Sequence, residues 1–395
     1  MSNKITKGVL RGKILIFAFR SLVKIPAVKA LRFHDKEVRI KDTPYLIFAN
    51  HSDSIDPAYI VKTTKKYVRF VMSDHVMRMG IIGKLYNLLD APIVFEREKG
   101  TDVLYKSIVD NIRAGVNVAM YPEGAMTNTG ETGFISKRNA ALVKECNCTF
   151  VTYRGKGGYL KKPRWAKASR KGPIFGEVVN IYTKEQIAAM SEEEVYRHIL
   201  EDLHVNIYDE QRIEPHEYIG EDPAEHAEII LYGCPQCKEI GKLCTKGDKI
   251  FCNCGFEATI DNYGFWHNEN MEFDNIVEWD NFQKELLRNI TDKNKNTSNS
   301  LFYDDNQQIY TIENSVVTTL SESGTVHLFG DRVDIITDNG TISIPITDVE
   351  SAKTSSRMNL LLVTKKGYFE IKSPYPRSAT KYIVAIRYLQ SKENY

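Results

Sequence analysis

The chain has 395 residues, 42% of them hydrophobic and 26% charged, with a formal net charge of +2. That length predicts two or three domains with a sizeable core, and the composition is that of a water-soluble globular protein. Seven cysteines, five of them between Cys234 and Cys254, exclude a secreted disulfide scaffold and point to metal binding in a reducing compartment.

The charge is unevenly spread. Residues 4–32 hold eight Lys or Arg and no acidic residue, interleaved with Val9, Leu10, Ile14, Phe17, Phe19 and Leu22. This pattern predicts an amphipathic helix on an anionic membrane surface, with an ordinary basic-faced helix as the alternative. The longest apolar run, residues 14–19, is broken by Arg20, so the segment does not read as a signal peptide. No stretch approaches the roughly 18 apolar residues of a spanning helix. The expectation is a cytoplasmic protein held peripherally at the inner face of the membrane.

Residues 31–40 read as a first strand or hairpin. The apolar run Tyr45-Leu46-Ile47-Phe48-Ala49 stops at Asn50-His51, and Asp56-Pro57 follows as a helix start, with Asp56 as N-cap. His51 then sits at the mouth of a strand-to-helix loop with Asp56 within reach of its ring, the minimal equipment for general-base attack by a hydroxyl. Residues 67–72 read as a strand, 82–89 as helical, and 91–97 as a strand ending in Glu96-Arg97. Residues 102–113 carry helical spacing closed by Gly115, and 116–121 are a buried strand leading into Pro122-Glu123-Gly124. A helix over 137–147 and a strand over 148–153 complete an α/β alternation that places reactive residues at strand ends. Arg97 offers a planar fork for phosphate, Glu123-Gly124 a turn open to close approach, and Lys137 positive potential at a helix start.

Residues 155–172 are basic and glycine-rich, readable as a phosphate cradle or a solvated loop. Ser191 and Glu194 form a capping-box pattern before a helix, and residues 209–224 read as an acidic linker. Cys234-x-x-Cys237 and Cys252-x-Cys254 lie 14 residues apart, the spacing of a zinc ribbon with four thiolates on a structural zinc. Cys244 is a possible substitute ligand, while Cys146 and Cys148 read as ordinary thiols. An all-thiolate site leaves no open position, so no catalytic metal is expected. After a helix over 279–289 and a polar linker over 292–300, short strands with turns at Asp338-Asn339-Gly340 and Lys365-Lys366-Gly367 precede a final helix over 379–390. A bent antiparallel sheet capped by one helix is the pleckstrin-homology-like plan.

Asn50-His51-x4-Asp56, then Pro92-Ile93-Val94-Phe95-Glu96-Arg97, then Tyr121-Pro122-Glu123-Gly124, in this order, resembles the glycerophosphate and lysophosphatidic-acid acyltransferase family over roughly residues 30–215. The resemblance implies a layered α/β glycerolipid-acyltransferase domain, with His51 as base, Asp56 as its holder, and Arg97, Glu123 and Gly124 on the acceptor side; Asn50, inside the first motif, and Lys137, from its place at a helix start, are further candidates for that side. It also implies a lysophospholipid acceptor, 1-acyl-sn-glycerol-3-phosphate above all, and acyl-CoA or acyl-carrier protein as donor. The chain departs from the family at Ala125-Met126, where Thr-Arg is usual, and at Phe150-Val151-Thr152-Tyr153-Arg154, which lacks the family's proline. Arg154, Lys137 or Lys156 are the candidates to replace the lost phosphate contact.

The expected organisation is a membrane-contact segment (1–33), an acyltransferase domain (34–222), a zinc ribbon (230–264) with ligands Cys234, Cys237, Cys252 and Cys254, a helix and linker (265–300), and an all-β pleckstrin-homology-like domain (301–395). The competing reading is a silent lipid-binding scaffold on the acyltransferase fold. A nucleic-acid module is not expected, because the ribbon lacks a basic-aromatic stripe.

Overall fold

The computed structural model describes residues 32–73, 92–95, 100–313, 316–355 and 357–391. The basic segment up to residue 31, the helical segment over 82–89 and Arg97 lie outside the described residues. The chain forms two compact units, Met1–Lys161 with Lys171–Tyr218, and Lys162–Arg170 with Ile219–Tyr395.

In the first unit the apolar runs become strands and the amphipathic runs helices. The strands are β1 (Phe33–Asp35), β2 (Tyr45–Ala49), β3 (Arg69–Ser73), β4 (Ile93–Phe95), β5 (Val118–Met120), β6 (Thr149–Lys156) and β7 (Ile174–Tyr182). They form one sheet in the order β1-β7-β6-β2-β5-β3-β4. Strands β6, β2, β5, β3 and β4 are mutually parallel; β7 runs antiparallel to β6, and β1 is parallel to β7.

β2 lies between β5 and β6 and is buried along its whole length, which is why it reads as an unbroken apolar run. Its residues alternate between two cores. Leu46 and Phe48 pack with Ile108, Leu142 and Ile199, from α2 (Gly100–Arg113), α3 (Arg138–Cys146) and α6 (Glu192–Leu203). Tyr45, Ile47 and Ala49 pack on the other face with Tyr59 and Ile60 of α1 (Asp56–Thr64). The intervening helices α4 (Gly158–Lys161) and α5 (Lys184–Ala189) are short, and α7 (Ile207–Ile213) follows α6. The capping box of α6 forms as expected, with Ser191 Oγ accepting from Glu194 N–H.

The region read as a linker over 209–224 is instead folded: α7 runs into it, and Tyr218 and Ala224 are buried. The first strand is shorter than the stretch read over 31–40, and β6 is longer than its apolar run, carrying Gly155 and Lys156 inside the sheet.

The second unit opens on a four-stranded ribbon, β8 (Leu243–Lys246), β9 (Lys249–Cys252), β10 (Glu257–Ile260) and β11 (Trp266–His267), in the order β11-β10-β9-β8. Helix α8 (Ile276–Asn294) is longer than its apolar pattern and enters the linker region. It is pinned to the ribbon by buried Trp279, whose Nε1–H donates to Gly233 O at 3.0 Å, and by Gln283, which accepts from Tyr232 N–H at 2.8 Å.

Seven antiparallel strands follow: β12 (Phe302–Glu313), β13 (Val316–Leu328), β14 (Arg332–Thr337), β15 (Gly340–Pro345), β16 (Val349–Ser355), β17 (Asn359–Thr364) and β18 (Gly367–Lys372), closed by α9 (Thr380–Leu389). The order β15-β14-β13-β12-β18-β17-β16, bent where β12 carries register shifts against β13, is the expected helix-capped plan. β16 went unread in the sequence because residues 349–355 are mostly polar and small. Tyr232 and Ile240 of the ribbon and Leu287 of α8 share one core with Val326, Leu362, Phe369 and Ile386.

Candidate active site and a four-thiol cluster

The parallel strands deliver their C-terminal ends to one edge of the sheet, where the strand-end residues meet. β2 ends at Ala49 and β5 at Met120, so the His51 loop and the Tyr121–Gly124 turn leave from neighbouring strands.

Asp56 organises the loop. Its Oδ2 sits 2.9 Å from His51 Nδ1, and accepts from Ser52 N–H at 2.7 Å and Asp53 N–H at 2.9 Å. The expectation of an N-cap needs correction here. Asp56 is the first helical residue, the cap position belongs to Ile55, and no side chain caps the helix. The carboxylate is spent backwards on the loop, so it orients the imidazole rather than the helix end. Because a carboxylate only accepts, Nδ1 carries the proton and Nε2 is left as the basic nitrogen.

Glu123 fixes the backbone of the same residue. Its Oε1 accepts from His51 N–H at 2.7 Å and its Oε2 from Gly133 N–H at 2.6 Å. His51 C=O in turn accepts from Thr127 N–H at 2.9 Å. Burial pushes the Glu123 carboxyl up from 4.5 to about 7, against the pull of those two N–H donors. Gly124 stands at φ +73°, in the left-handed region that lets the turn close with its N–H on Tyr121 O. The Tyr121 ring stacks on the His51 ring, centroids 4.1 Å apart and planes 16° from parallel. Asn50 is buried and pairs in both directions with Gly155: Nδ2–H to Gly155 O at 2.8 Å, and Gly155 N–H to Oδ1 at 2.7 Å.

His51, Asp56, Asn50, Glu123 and Gly124 thus come together. Lys137 is engaged elsewhere, its exposed ammonium paired with Glu193. Arg154 donates to the carbonyls of Asp202 at 3.0 Å and Glu201 at 3.3 Å, closing the end of α6. Lys156 lines the small cleft beside His51 and pairs with Glu210 at 2.9 Å. Sequence reasoning missed Tyr121 as a ring partner, and Thr127, Gly133 and Gly155 as backbone partners. Tyr121 stood inside a quoted motif, whereas main-chain partners leave no mark in residue type.

In the second unit Cys234, Cys237, Cys252 and Cys254 bring their Sγ atoms within 4.8 Å of one another. Cys234 and Cys254 are 3.7 Å apart, Cys237 and Cys252 3.8 Å. A tetrahedron with metal–sulfur bonds of roughly 2.3 Å has edges of about 3.8 Å, so four thiolates in this arrangement fit a closed metal site. The N–H of Phe256 leads in lowering the Cys254 thiol to about 7, which favours the ligating form. Cys244 is exposed and stands outside the cluster; Cys146 and Cys148 are buried.

No curated protein matches the chain. Among solved structures, the chain is similar to the 1-acyl-sn-glycerophosphate acyltransferase PlsC from Thermotoga maritima, at 15% identity over 51% of this chain and 81% of that one, TM-score 0.42. It is also similar to the Vps36 N-terminal PH domain (14% identity, 24% and 80% covered, TM-score 0.21) and to the N-terminal PH domain of human ARAP2 (10%, 23% and 81%, TM-score 0.20). The Acyltransferase family model matches residues 30–154, the stretch that holds His51, Asp56, Glu123 and Gly124, and the chain therefore carries an acyltransferase domain.

Proposed function

We propose that the chain is an O-acyltransferase that moves a fatty acyl group from acyl-CoA or acyl-carrier protein to the hydroxyl of a lysophospholipid, 1-acyl-sn-glycerol-3-phosphate being the leading acceptor. The observation that carries this reading is the imidazole of His51 held through Nδ1 by Asp56, inside the family-matched stretch. The acceptor hydroxyl attacks the thioester carbonyl, forming the ester C–O bond as the C–S bond breaks. His51 Nε2 takes the hydroxyl proton and returns it to the leaving thiolate, and Asp56 stabilises the imidazolium between those events. Glu123 and Asn50 act by fixing the loop, Gly124 admits the acceptor, and Arg97 meets its phosphate.

The five-part division of the chain, with residues 1–33 on an anionic membrane, accompanies this reading. The described helices include none long and apolar enough to cross a membrane. Cys234, Cys237, Cys252 and Cys254 would hold a structural zinc whose role is to close the ribbon.

Thiol release from acyl-CoA with a panel of lysophospholipids tests the activity. Turnover with a phosphate-headed acceptor, abolished by His51→Ala at unchanged melting temperature, is expected. Retained turnover in that variant sinks the mechanism. No turnover with any acceptor, together with tight vesicle binding, would favour a lipid-binding scaffold instead.

A further inference from the structure

The glycine-rich stretch Gly155-Lys156-Gly157-Gly158 has the look of a phosphate cradle, yet protein groups stand against each of its three glycines. Gly155 N–H and C=O are both taken by the Asn50 amide. A Cβ on Gly157 would meet Tyr218 OH at 2.4 Å and Pro173 O at 2.6 Å, and one on Gly158 would meet Ser52 Oγ at 2.6 Å and Asp53 Cβ at 3.2 Å. Ser52 and Asp53 are the residues whose N–H groups hold Asp56 Oδ2. A side chain at 158 would therefore press on the histidine loop.

We propose that Gly158 is a positioning residue for the His51–Asp56 pair: the α4 backbone is the floor on which the loop is set, and Asn50–Gly155 fastens its leading edge. Any side chain at 158 lifts Ser52, moves an N–H away from the carboxylate, and lets Asp56 turn off His51 Nδ1. The backbone of Gly158 itself poses no obstacle, since its φ lies outside the left-handed region that Gly157 occupies at +84°. The requirement at 158 is for space, and space can be restored from the other side. Removing Ser52 Oγ takes away the one atom closer than 3.0 Å; Asp53 Cβ at 3.2 Å must then give by a few tenths of an ångström, and Ser52 Cβ at 3.5 Å is an ordinary contact.

The inference rests on the proposed base role of His51, but its first readout does not need a substrate. The full-length wild type, Gly158→Ala, Ser52→Ala and the double variant are compared by ring 15N signals of His51 and by kcat and KM for thioester cleavage with lysophosphatidate. Gly158→Ala is expected to lose the Nδ1-protonated signature and to lower kcat by about 10²-fold, the usual cost of an ångström-scale misplacement, with KM changed by less than about threefold. In the Ser52→Ala background the same substitution should restore the signature and cost less than about tenfold, since the severe clash is gone and only the 3.2 Å contact with Asp53 Cβ has to relax. Equal losses in both backgrounds, or an unchanged His51 signature in folded Gly158→Ala, overturn the inference. If Gly158→Ala fails to fold, a folded double variant with the wild-type signature upholds it, and a double variant that also fails to fold refutes it. Absent turnover in the wild type counts against the acyltransferase reading alone, because the ring signals still decide the role of Gly158.

Discussion

Replacing Asp56 separates two jobs held by one oxygen. Oδ2 receives His51 Nδ1 at 2.9 Å and the N–H groups of Ser52 and Asp53 at 2.7 and 2.9 Å. Asparagine can keep its amide oxygen in that position and so keep the three donors, but it removes the negative charge. As the hydroxyl proton moves to Nε2, a full positive charge grows on a ring in contact with that carboxylate. At an effective dielectric of 20–40 and this separation, the attraction is about 3–6 kcal/mol. Asp56→Asn is therefore expected to lower kcat by roughly 10²–10⁴-fold while the melting temperature stays within about two degrees of wild type. Asp56→Ala adds two orphaned loop N–H groups, each costing about 1–3 kcal/mol, so it should lose stability as well as activity. Stopped-flow thiol release gives the rate, and scanning calorimetry on the same samples gives the stability. An Asp56→Asn variant with wild-type kcat would show that the carboxylate is only a loop fastener and would refute the charge argument.

Three other perturbations probe the remaining features. Glu123 titrates higher folded than unfolded, about 7 against 4.5, so the native state binds the extra proton in that window and stability falls as pH rises through it. The slope should total about 2–3 kcal/mol across pH 4.5–7 and vanish in Glu123→Gln; parallel denaturation curves for the two proteins would contradict this. Chelation or Cys234→Ser should remove one zinc per chain, read by elemental analysis, and lower the melting transition of the second unit; an unmoved transition would argue against a structural metal. Lys381 is buried, its ammonium 2.7 Å from Asp304, and burial pulls its pKa down. Lys381→Met should cost up to about 3–5 kcal/mol in denaturant titrations by leaving that buried carboxylate with Arg377, 3.7 Å away, as its remaining cation, and Lys381→Met with Asp304→Leu should recover most of it; no recovery would point to packing instead.

The legible parts of the chain were those where residue type and spacing carry the physics. Tyr45–Ala49 is apolar on both faces because β2 is buried on both, and Ser191 with Glu194 announces a cap that forms. The cysteine spacing led to four sulfurs that do meet. What stayed hidden depends on tertiary approach. Nothing in Gly158 itself distinguishes a glycine that cradles a ligand from one that admits another loop. The acidic stretch after α6 reads as linker, yet Tyr218 goes under Gly172 and Gly157, and only the folded partners reveal why it is ordered. Asp56 was legible as the holder of His51 but was also read as a helix cap, since Asp before Pro fits both, and only the first of the two contacts forms.

The sequence of the second unit is interrupted: Lys162–Arg170 belongs to it, although it is written inside the first. Trp165 from that insertion is fully buried, its Nε1–H on Pro223 O at 2.9 Å, and Arg170 donates to the same carbonyl at 2.6 Å. A gene fragment beginning at residue 219 would therefore express a body missing an indole from its interior, with Pro223 O stripped of both donors. Anyone wishing to study the ribbon and sheet alone would have to supply residues 162–170 as a separate peptide, or graft them through a permuted terminus. A protease nick within 171–218 should, by the same reasoning, leave two fragments that copurify, the insertion still anchored by its tryptophan.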